Sequence, residues 1–403
     1  MKENCNPKIS PNKKKKVILL ITVSTVLIVA LGTVLLGGHH IAKESGYYCV
    51  NRMGKIMNAK PFKDKGYFFG EEKIIFAKSK ITEYGETMSS FMDISGKIIG
   101  DKYFHADDVK LPEKPTFPIL VREDDKLVIL DNKLEKIGEL KGDYDAKGAD
   151  FSSCFVSGLA FVGLKTNRDL QYGYINTAGE WVIPPRFSDA YSFSEYGIAM
   201  IEENDSEMFG LIDTKGNYIS KDRFCDVYNS GKYPMVQKQE DGKAAFINSN
   251  GEYITDFIYE FETSGFSEGL ASVILYKEDE YSYGFINEQG EMVITIAGTH
   301  LGRNSKFSHG VAWIVLGNAV DKDFHMAIEE KNVKETRPFS EDGYSVVSYG
   351  NYGEKYGLID SNGKWVLKPQ FLAKSSDGKA IDFPEYNNGY LMVYLEKGQS
   401  VKK

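Results

Sequence analysis

The chain has 403 residues, of which 42% are hydrophobic and 13% aromatic, so it can bury a large core. Acidic residues outnumber basic ones by 57 to 49, which gives a formal net charge of −8. This balance disfavours nucleic acid as a partner, because surfaces that bind nucleic acid carry clusters of Lys and Arg. The four cysteines are too few for a disulfide scaffold.

The first 38 residues have the composition of a membrane signal anchor. Residues 1–16 contain six lysines and one acid and are predicted to be a basic cytoplasmic tail. Val17 to Gly38 then runs for 22 residues without a charge. As a helix this segment is about 33 Å long, enough to cross a hydrocarbon core of about 30 Å. A cleaved signal peptide has an apolar region of only about 7–15 residues and a small-x-small site, and this run has no clean site.

We therefore expect a single-pass protein of the cell membrane, with its N-terminus in the cytoplasm and everything after Gly38 outside. Residues 39–46 are predicted to be a short tether, and residues 47–403 a repeat domain. Without its first 38 residues the chain has 43 basic and 56 acidic residues, a net charge of −13. Such a charge is typical of a solvated surface.

One pattern recurs through the repeat domain. An apolar pair leads into Asn or Asp, two variable residues follow, and then come Gly and a second apolar pair. Clear copies begin at Gly173 (GYINTAGEWVIPPRF), Gly210, Ala245, Gly284 and Gly357. Weaker copies begin at positions 48, 90, 128 and 326, so the mean spacing is about 38.6 residues, within the range of solenoids and propellers. The sequence thus predicts about nine units.

Each copy has the chemistry of a tight β-hairpin. Asn176 can open a type I turn with its side chain, and Gly179 suits the left-handed position that follows. A calcium loop would need further oxygen ligands and a closing Glu, which the copies lack. A second element stands between copies: Phe, two or three residues, Gly, and then alternating apolar residues. It begins at Phe193, Phe266, Phe307 and Phe339. Each unit is therefore predicted to hold about three short strands and no helix.

These residues give the chain its resemblance to a known family. The Gly-Tyr-Ile-Asn/Asp-x-x-Gly-x-Trp-Val-Ile-x-Pro pattern, followed by Phe-Ser-x-Gly-Leu-Ala, resembles the WG (or KWG) repeat of many bacterial proteins. The match is best at 173–202 and 357–371, where Trp181 and Trp365 hold the Trp position. The resemblance implies an all-β repeat array of generally unassigned activity, and with the predicted anchor this chain would be a membrane-anchored bacterial member of the family. It implies no catalytic residues.

The order of elements favours a closed array. The chain enters the first unit on its Asn-x-x-Gly hairpin, and it ends on an apolar strand within Phe383 to Leu395 that the first unit lacks. In a propeller-like ring this last strand would complete the first unit and remove both sheet edges. The alternative is an open β-solenoid with separate, capped ends. Nine units exceed the usual four to eight blades of a propeller.

No catalytic constellation is found in the sequence. There is no Gly-x-Ser-x-Gly elbow, no His-Glu-x-x-His motif and no phosphate-binding loop. His300 and His309 fall in one unit, but no Cys or third His lies nearby to complete a metal site. We therefore assign no catalytic, cofactor-binding or metal-binding residue.

The functional hypothesis is a binding or scaffold protein of the cell envelope, with an unknown protein or glycan ligand, because repeat arrays present extended binding surfaces. The aromatic residues Tyr281, Tyr283 and Trp313 fall at variable positions and are candidate contacts, although core packing is the commoner role of such residues. The alternative hypothesis is an envelope glycan hydrolase that uses paired carboxylates on one rim of the array.

Overall fold

The computed structural model shows an all-β chain of small antiparallel sheets. It describes residues 41–402, except for positions 63–64, 70–73, 82–86, 100–103, 106–116, 124, 147–148, 152–153, 167–168, 204–205, 230, 240–241, 278–279, 297–304, 316 and 377. The strands within these residues form nine sheets, which we number in chain order from the sheet that contains the first strand.

The strands of the first half follow one another along the chain at short intervals. They are β1 (Gly46–Asn51), β2 (Tyr67–Phe69), β3 (Ile74–Ile81), β4 (Thr87–Met92), β5 (Phe104–His105), β6 (Ile119–Glu123), β7 (Lys126–Leu130), β8 (Lys136–Glu139), β9 (Asp150–Phe151), β10 (Leu159–Thr166), β11 (Asp169–Asn176), β12 (Trp181–Phe187), β13 (Asp189–Ala190), β14 (Ala199–Glu202) and β15 (Phe209–Ile212).

The second half continues in the same manner. Its strands are β16 (Asp226–Tyr228), β17 (Met235–Gln237), β18 (Ala244–Phe246), β19 (Phe266–Ser267), β20 (Leu270–Lys277), β21 (Glu280–Asn287), β22 (Met292–Ile296), β23 (Val311–Val315), β24 (Asn318–Asp321), β25 (Met326–Glu329), β26 (Val333–Thr336), β27 (Tyr344–Tyr349), β28 (Lys355–Asp360), β29 (Trp365–Leu372), β30 (Glu385–Asn387) and β31 (Tyr390–Leu395).

Sheets 2 to 9 each use consecutive strands: β2–β5, β6–β8, β9–β12, β13–β15, β16–β18, β19–β22, β23–β25 and β26–β29. Their common plan has four positions, A to D, with the Phe-Ser segment at A and the segment after the Asn-x-x-Gly turn at D. The prediction of about three strands per unit is therefore one too few for sheets 2, 4, 7 and 9. In sheet 5 the D segment joins its neighbour only through single bridging pairs, such as Ile212 with Tyr218. Part of that segment bends back on itself, where the Asp222 N–H donates to Ser220 Oγ at 3.1 Å.

Sheet 1 is assembled from the two ends of the chain. The first strand, β1, pairs with β31 along its whole length, from Gly46 opposite Leu395 to Asn51 opposite Tyr390, and β30 continues the sheet. This is the pairing that the sequence predicts for a ring. An open solenoid would leave the two strands apart, so the structure supports the propeller-like array.

The apolar core is divided among the junctions between sheets. The nine clusters of buried side chains in the described chain each join two successive sheets, and one of them joins sheet 9 to sheet 1. For example, Phe224 and Val236 lie between sheets 5 and 6, and Tyr48 and Val393 meet Leu358 between sheets 1 and 9. Because each sheet of the described chain packs against a neighbour on both sides, these sheets form a closed cycle.

The hairpin turn predicted from the repeat is present in every sheet of the described chain. In sheet 4 the side-chain oxygen of Asn176 accepts hydrogen bonds from the N–H groups of Ala178 and Glu180, both at 3.0 Å. Gly179 has a φ of 75°, the left-handed conformation that its position requires. The predicted turn is thereby confirmed, and its side-chain oxygen is committed to backbone N–H groups. The other turns begin at Asn51, Asp93, Asp131, Asp213, Asn248, Asn287, Asp321 and Asp360.

Two of these turns lack the expected glycine. The copy that we placed at position 326 is wrong by one strand, because the turn of sheet 8 begins at Asp321 and not after Met326. Its glycine position is occupied by Phe324, with a φ of 62°, and Leu134 takes the same conformation in sheet 3, with a φ of 64°. The turn of sheet 8 was not recognised in the sequence because Phe324, and not glycine, occupies its left-handed position.

The A segments of neighbouring sheets contact one another directly, which places them on the inner side of the array. Ser267 Oγ donates to the carbonyl of Phe307 at 2.7 Å, which links the A segments of sheets 7 and 8. Ser157 Oγ donates to the carbonyl of Ser194 at 2.8 Å and links sheets 4 and 5 in the same way. The D strands therefore face outwards. The A–B and C–D turns share one end of each sheet, and the B–C turn lies at the other.

The predicted membrane helix, Val17 to Gly38, and the basic tail before it lie outside the described residues. Within the part of the chain that the structure describes, no helix is long and apolar enough to span a membrane. The end of the predicted tether contacts the C-terminal segment, since the Ala42 N–H donates to the carbonyl of Gln399 at 2.9 Å.

Candidate functional site

A large side chain from the D strand lies across a glycine of the C strand. A Cβ atom added to Gly357 would come within 2.6 Å of the Trp365 ring, and one added to Gly210 would come within 2.8 Å of the Tyr218 ring. The strand glycines Gly357 and Gly210 therefore permit this close approach, and they are different residues from the turn glycines Gly363 and Gly216, which have a positive φ. This contact fixes an aromatic ring on the outer edge of the sheet.

In sheet 9 this ring forms the floor of a surface depression. Tyr349, at the end of β27, meets Trp365 edge to face with 5.5 Å between ring centroids. The depression has a volume of about 620 Å³ and is lined by Tyr349, Gly350, Glu354, Lys355, Trp365, Lys368 and Pro369. Both rings pack on their inner side against the core between sheets 8 and 9. The floor is therefore held rigidly while its outer surface stays accessible.

The rim of the depression is charged. The side chains of Lys355, Lys368 and Glu354 are exposed, and the nearby Tyr352 is 91% exposed at the tip of the B–C turn. The carboxylate of Glu354 folds against the backbone of Gly350, where an added Cβ atom would overlap it. The site thus combines an aromatic floor with two cations and one anion.

The same position is built differently in other sheets. Tyr349 on β27 lies opposite Lys355 on β28, and Lys355 is two residues before the strand glycine, Gly357. The residues at the corresponding register are Leu164 in sheet 4 and Leu275 in sheet 7. In both sheets the position is aliphatic, so it adds no second ring beside the D-strand residue.

A second, smaller cavity of about 210 Å³ lies where the ring closes. Its walls come from the A segments of sheets 9 and 1 and from the connection into sheet 2. They are Lys65, Arg337, Pro338, Ser340, Tyr344, Val346, Phe383, Pro384, Glu385 and Tyr386. The Arg337 guanidinium lies over the Phe383 ring at 4.3 Å, and Tyr386 donates to Asp342 Oδ2 at 2.7 Å.

Glu385 is the carboxylic acid of this cavity. Burial raises its pKa above the ordinary value, and this effect exceeds the opposing influence of Lys65 and of the Phe68 N–H. That N–H donates to Glu385 Oε1 at 3.3 Å, and Lys65 Nζ donates to the carbonyl of Phe383 at 2.8 Å. The Glu385 carboxyl group can therefore bind a proton, and the cavity has room for a small polar group.

Ion pairs connect successive sheets at the end that carries the Asx turns. The residue after the turn's Asn or Asp reaches the A–B turn of the preceding sheet. Lys322 Nζ lies 3.1 Å from Glu268 Oε2, and Glu288 Oε2 lies 2.5 Å from Lys232 Nζ, with the charges reversed. Across the closure, Arg52 lies 3.6 Å from Asp342. These partly exposed pairs set the register between sheets and add little stability each.

The candidates named from the sequence have different environments. Trp313 is buried, stacks on Phe339 with 5.3 Å between centroids and donates to Ser345 Oγ at 3.1 Å, so it belongs to the core. Tyr283 is also buried, whereas Tyr281 is 56% exposed. The rings of Tyr281 and Tyr276 contact each other on the B–C hairpin of sheet 7, with 4.7 Å between their centroids.

The remaining sequence candidates have no assigned chemical role. His309 occupies a two-residue hairpin turn with a φ of 54°, while His300 lies outside the described residues, so their pairing stays untested. Cys49 and Cys154 are buried in apolar clusters, and burial raises the pKa of the Cys49 thiol to about 12. Tyr349 was not predicted from the sequence. The one sequence feature that could have drawn attention to it is the loop that follows, which contains Tyr352.

The fold and the repeated turns define an all-β repeat protein with a closed cycle of sheets. The model of a family described as "WG containing repeat" matches residues 172–205, 245–275, 283–297 and 356–371. The chain contains WG repeats at these four stretches, as its sequence resemblance predicts. No curated protein sequence matches the chain.

Several solved structures share a general likeness with the chain. One described as the eukaryotic initiation factor is 10% identical, covers 89% of this chain and 100% of its own, and has a TM-score of 0.46. Kluyveromyces lactis Hsv2p is 10% identical over 81% of this chain and 97% of its own, with a TM-score of 0.33. A protein of unknown function from Bacteroides caccae is 15% identical over 62% of this chain and 93% of its own, with a TM-score of 0.25.

Proposed function

We propose that the chain is a membrane-anchored binding or scaffold protein whose WG-repeat domain lies outside the cytoplasm. The uncharged segment Val17 to Gly38 and the lysines before it support the anchor and its orientation. Within this proposal each of the nine sheets counts as one repeat, including the sheets that the family model does not match.

The observation that carries the binding role is the aromatic depression of sheet 9. Sites for small ligands and ligand segments have volumes of about 300–1,000 Å³ and combine apolar walls with a few polar groups. The depression of about 620 Å³ meets both criteria, whereas the closure cavity of about 210 Å³ is too small. The depression lies on the outer edge of the ring, where a large ligand has access.

The alternative function, a glycan hydrolase, finds less support. Glycoside hydrolysis ordinarily requires two carboxylic acids that flank the scissile bond. The depression and the closure cavity are each lined by a single acid, Glu354 and Glu385 respectively. A mechanism with paired carboxylates therefore lacks its second acid in both described cavities.

The topology can be tested on intact cells from which the wall has been removed. External protease should digest the repeat domain and leave the lysine-rich tail protected. A mature protein that begins after Gly38, or a repeat domain that resists protease until the membrane is broken, would refute the proposed topology.

The binding role can be tested with purified envelope fractions. The full chain in mild detergent should co-sediment with insoluble envelope material without releasing soluble sugars from it. Release of sugar that depends on a single Asp or Glu would instead establish the hydrolase.

A further inference from the structure

We infer that the depression of sheet 9 is a binding subsite for an anionic glycan. This inference rests on the proposed binding role and names its ligand class. The site would hold a sugar ring on Trp365 and Tyr349 and would pair the acidic group of the sugar with Lys355 and Lys368.

The aromatic floor suits a saccharide. A pyranose ring has apolar C–H faces and polar edges, so it packs on an aromatic ring while its hydroxyls stay in water or meet polar side chains. Trp365 and Tyr349 present ring surfaces at 89° to each other, which form a floor and a wall. The exposed carboxylate of Glu354 lines the same space and can accept hydrogen bonds from sugar hydroxyls.

The charge around the site selects an acidic ligand. Residues 39–330 have 32 basic and 47 acidic residues, a net charge of −15. Residues 331–403, which include the depression, have 11 basic and 9 acidic residues, a net charge of +2. Two exposed lysines line a site on an otherwise acidic domain, so the local charge favours an anionic ligand.

The outer strand disfavours an acidic peptide as the occupant. A peptide that extended the sheet would need free N–H groups along the edge of β29. Pro369 lies at that edge within the depression and has no N–H, while Lys368 beside it is exposed. Proline and lysine on an edge strand both oppose the addition of a further strand. A sugar requires no such backbone pairing.

Titration of the full chain in mild detergent tests the inference. Hexagalacturonic acid should bind more tightly than the neutral maltohexaose, and its affinity should fall as salt is raised, because exposed charges are screened. Binding should also change the tryptophan fluorescence of the chain, and this change should be absent in the Trp365→Phe variant. Equal affinity for the neutral sugar, or tighter binding of hexaglutamate, would overturn the assignment.

Paired variants separate the site from the fold. The double variant K355Q/K368Q should weaken hexagalacturonate binding by at least about tenfold, as expected for the loss of charge-assisted contacts. The control K364Q/K374Q alters two exposed lysines of the same region that do not line the depression and should bind like the parent. Trp365→Leu should abolish binding, whereas Trp181→Leu at the same position of sheet 4 should retain it.

The outcomes distinguish this inference from the proposed function. A chain that co-sediments with envelope material but ignores hexagalacturonate, or binds it equally well in K355Q/K368Q, refutes the glycan subsite alone. A chain whose repeat domain proves cytoplasmic refutes the proposed topology, whatever sugar it binds in solution.

Discussion

Sheets 4 and 1 have the same local construction and different covalent connections. Both have an Asx turn, at Asn176 and Asn51, and both join their A and B strands through a two-residue turn, Ser157-Gly158 or Asn388-Gly389, with positive φ at both residues. Sheet 4 is one continuous segment, whereas the two parts of sheet 1 are joined by non-covalent contacts, chiefly the pairing of β1 with β31. The turn residues of each repeat are thus sufficient to shape a sheet. Closure of the ring depends in addition on contacts between the chain ends.

Removal of residues 385–403 breaks sheet 1 and should have the largest effect. Leu391, Met392, Val393 and Leu395 are at most 1% exposed. At about 1.5–3 kcal/mol for each buried side chain, their loss removes about 6–12 kcal/mol. That is comparable with the whole stability of a typical domain, about 5–15 kcal/mol. We expect loss of the cooperative thermal transition and aggregation through the freed edge of β1.

The matched control removes only residues 396–403 and keeps β31. It should retain the cooperative transition with a lower midpoint, because the buried Val401 is lost. If both truncations fray only locally, the array is open and the ring is wrong.

Substitution of the turn glycines tests the construction that the two sheets share. Gly179→Val in sheet 4 and Gly54→Val in sheet 1 both force a β-branched residue to a positive φ, of 75° and 77°. A Cβ on Gly179 would also overlap the carbonyl of Glu139, whereas on Gly54 its nearest neighbour would be the Val401 side chain, at 3.4 Å.

We expect Gly54→Val to cost about 1–2 kcal/mol and Gly179→Val at least about 3 kcal/mol in the free energy of unfolding, as measured in urea. Gly→Ala at each site serves as a smaller probe of the same conformation. Equal costs at the two positions would show that the clash with Glu139 is relieved by movement of the neighbouring sheet.

The turn was predictable because its chemistry is local, and the cavities were not. Asn176 and Gly179 are three residues apart, so their spacing is visible in the sequence and the structure confirms it. Glu385 and Lys65 meet in one cavity although they are 320 positions apart. Ring closure was predictable only because the missing strand of one end matches the surplus strand of the other. The turn that contains Phe324 was missed because the pattern requires glycine at this position. Phe324 adopts the same left-handed backbone conformation with a different side chain.

The acid of sheet 1 gives a smaller, pH-dependent effect. Burial raises the pKa of Glu385 in the folded state, so the folded protein holds this proton more tightly than the unfolded chain does. The free energy of unfolding should therefore fall as the pH rises from about 4.3, the ordinary value, through the raised pKa.

Glu385→Gln removes this dependence and can still accept the Phe68 N–H. The free energy of unfolding, measured by denaturant titration, should be higher for the variant than for the parent at pH 7. At about pH 4 the variant should show no such advantage over the parent. A parent more stable than the variant at pH 7 would mean that the carboxylate makes a favourable charged contact in the cavity.

The smallest expected change restores the repeat pattern where it is broken. Phe324 is 40% exposed and holds a φ of 62°, so Phe324→Gly should relieve backbone strain and raise stability by about 1 kcal/mol. Leu134→Gly should gain less, because Leu134 also packs against the core between sheets 2 and 3. Thermal midpoints of the two variants would rank them, and a loss of stability in Phe324→Gly would show that its ring contributes more than the turn costs.

The pairing of β1 with β31 also sets the order of events during synthesis. Asn51 leaves the ribosome 339 residues before its partner Tyr390. At about 5–20 residues per second, β1 waits for roughly 17–70 s with one edge uncovered. The later sheets can form in sequence during that interval, but the ring becomes complete only when almost the whole chain has emerged. The nascent protein therefore holds β1 without its partner strand throughout that interval, and a ribosome that stalls before residue 390 leaves a product that cannot form this pairing.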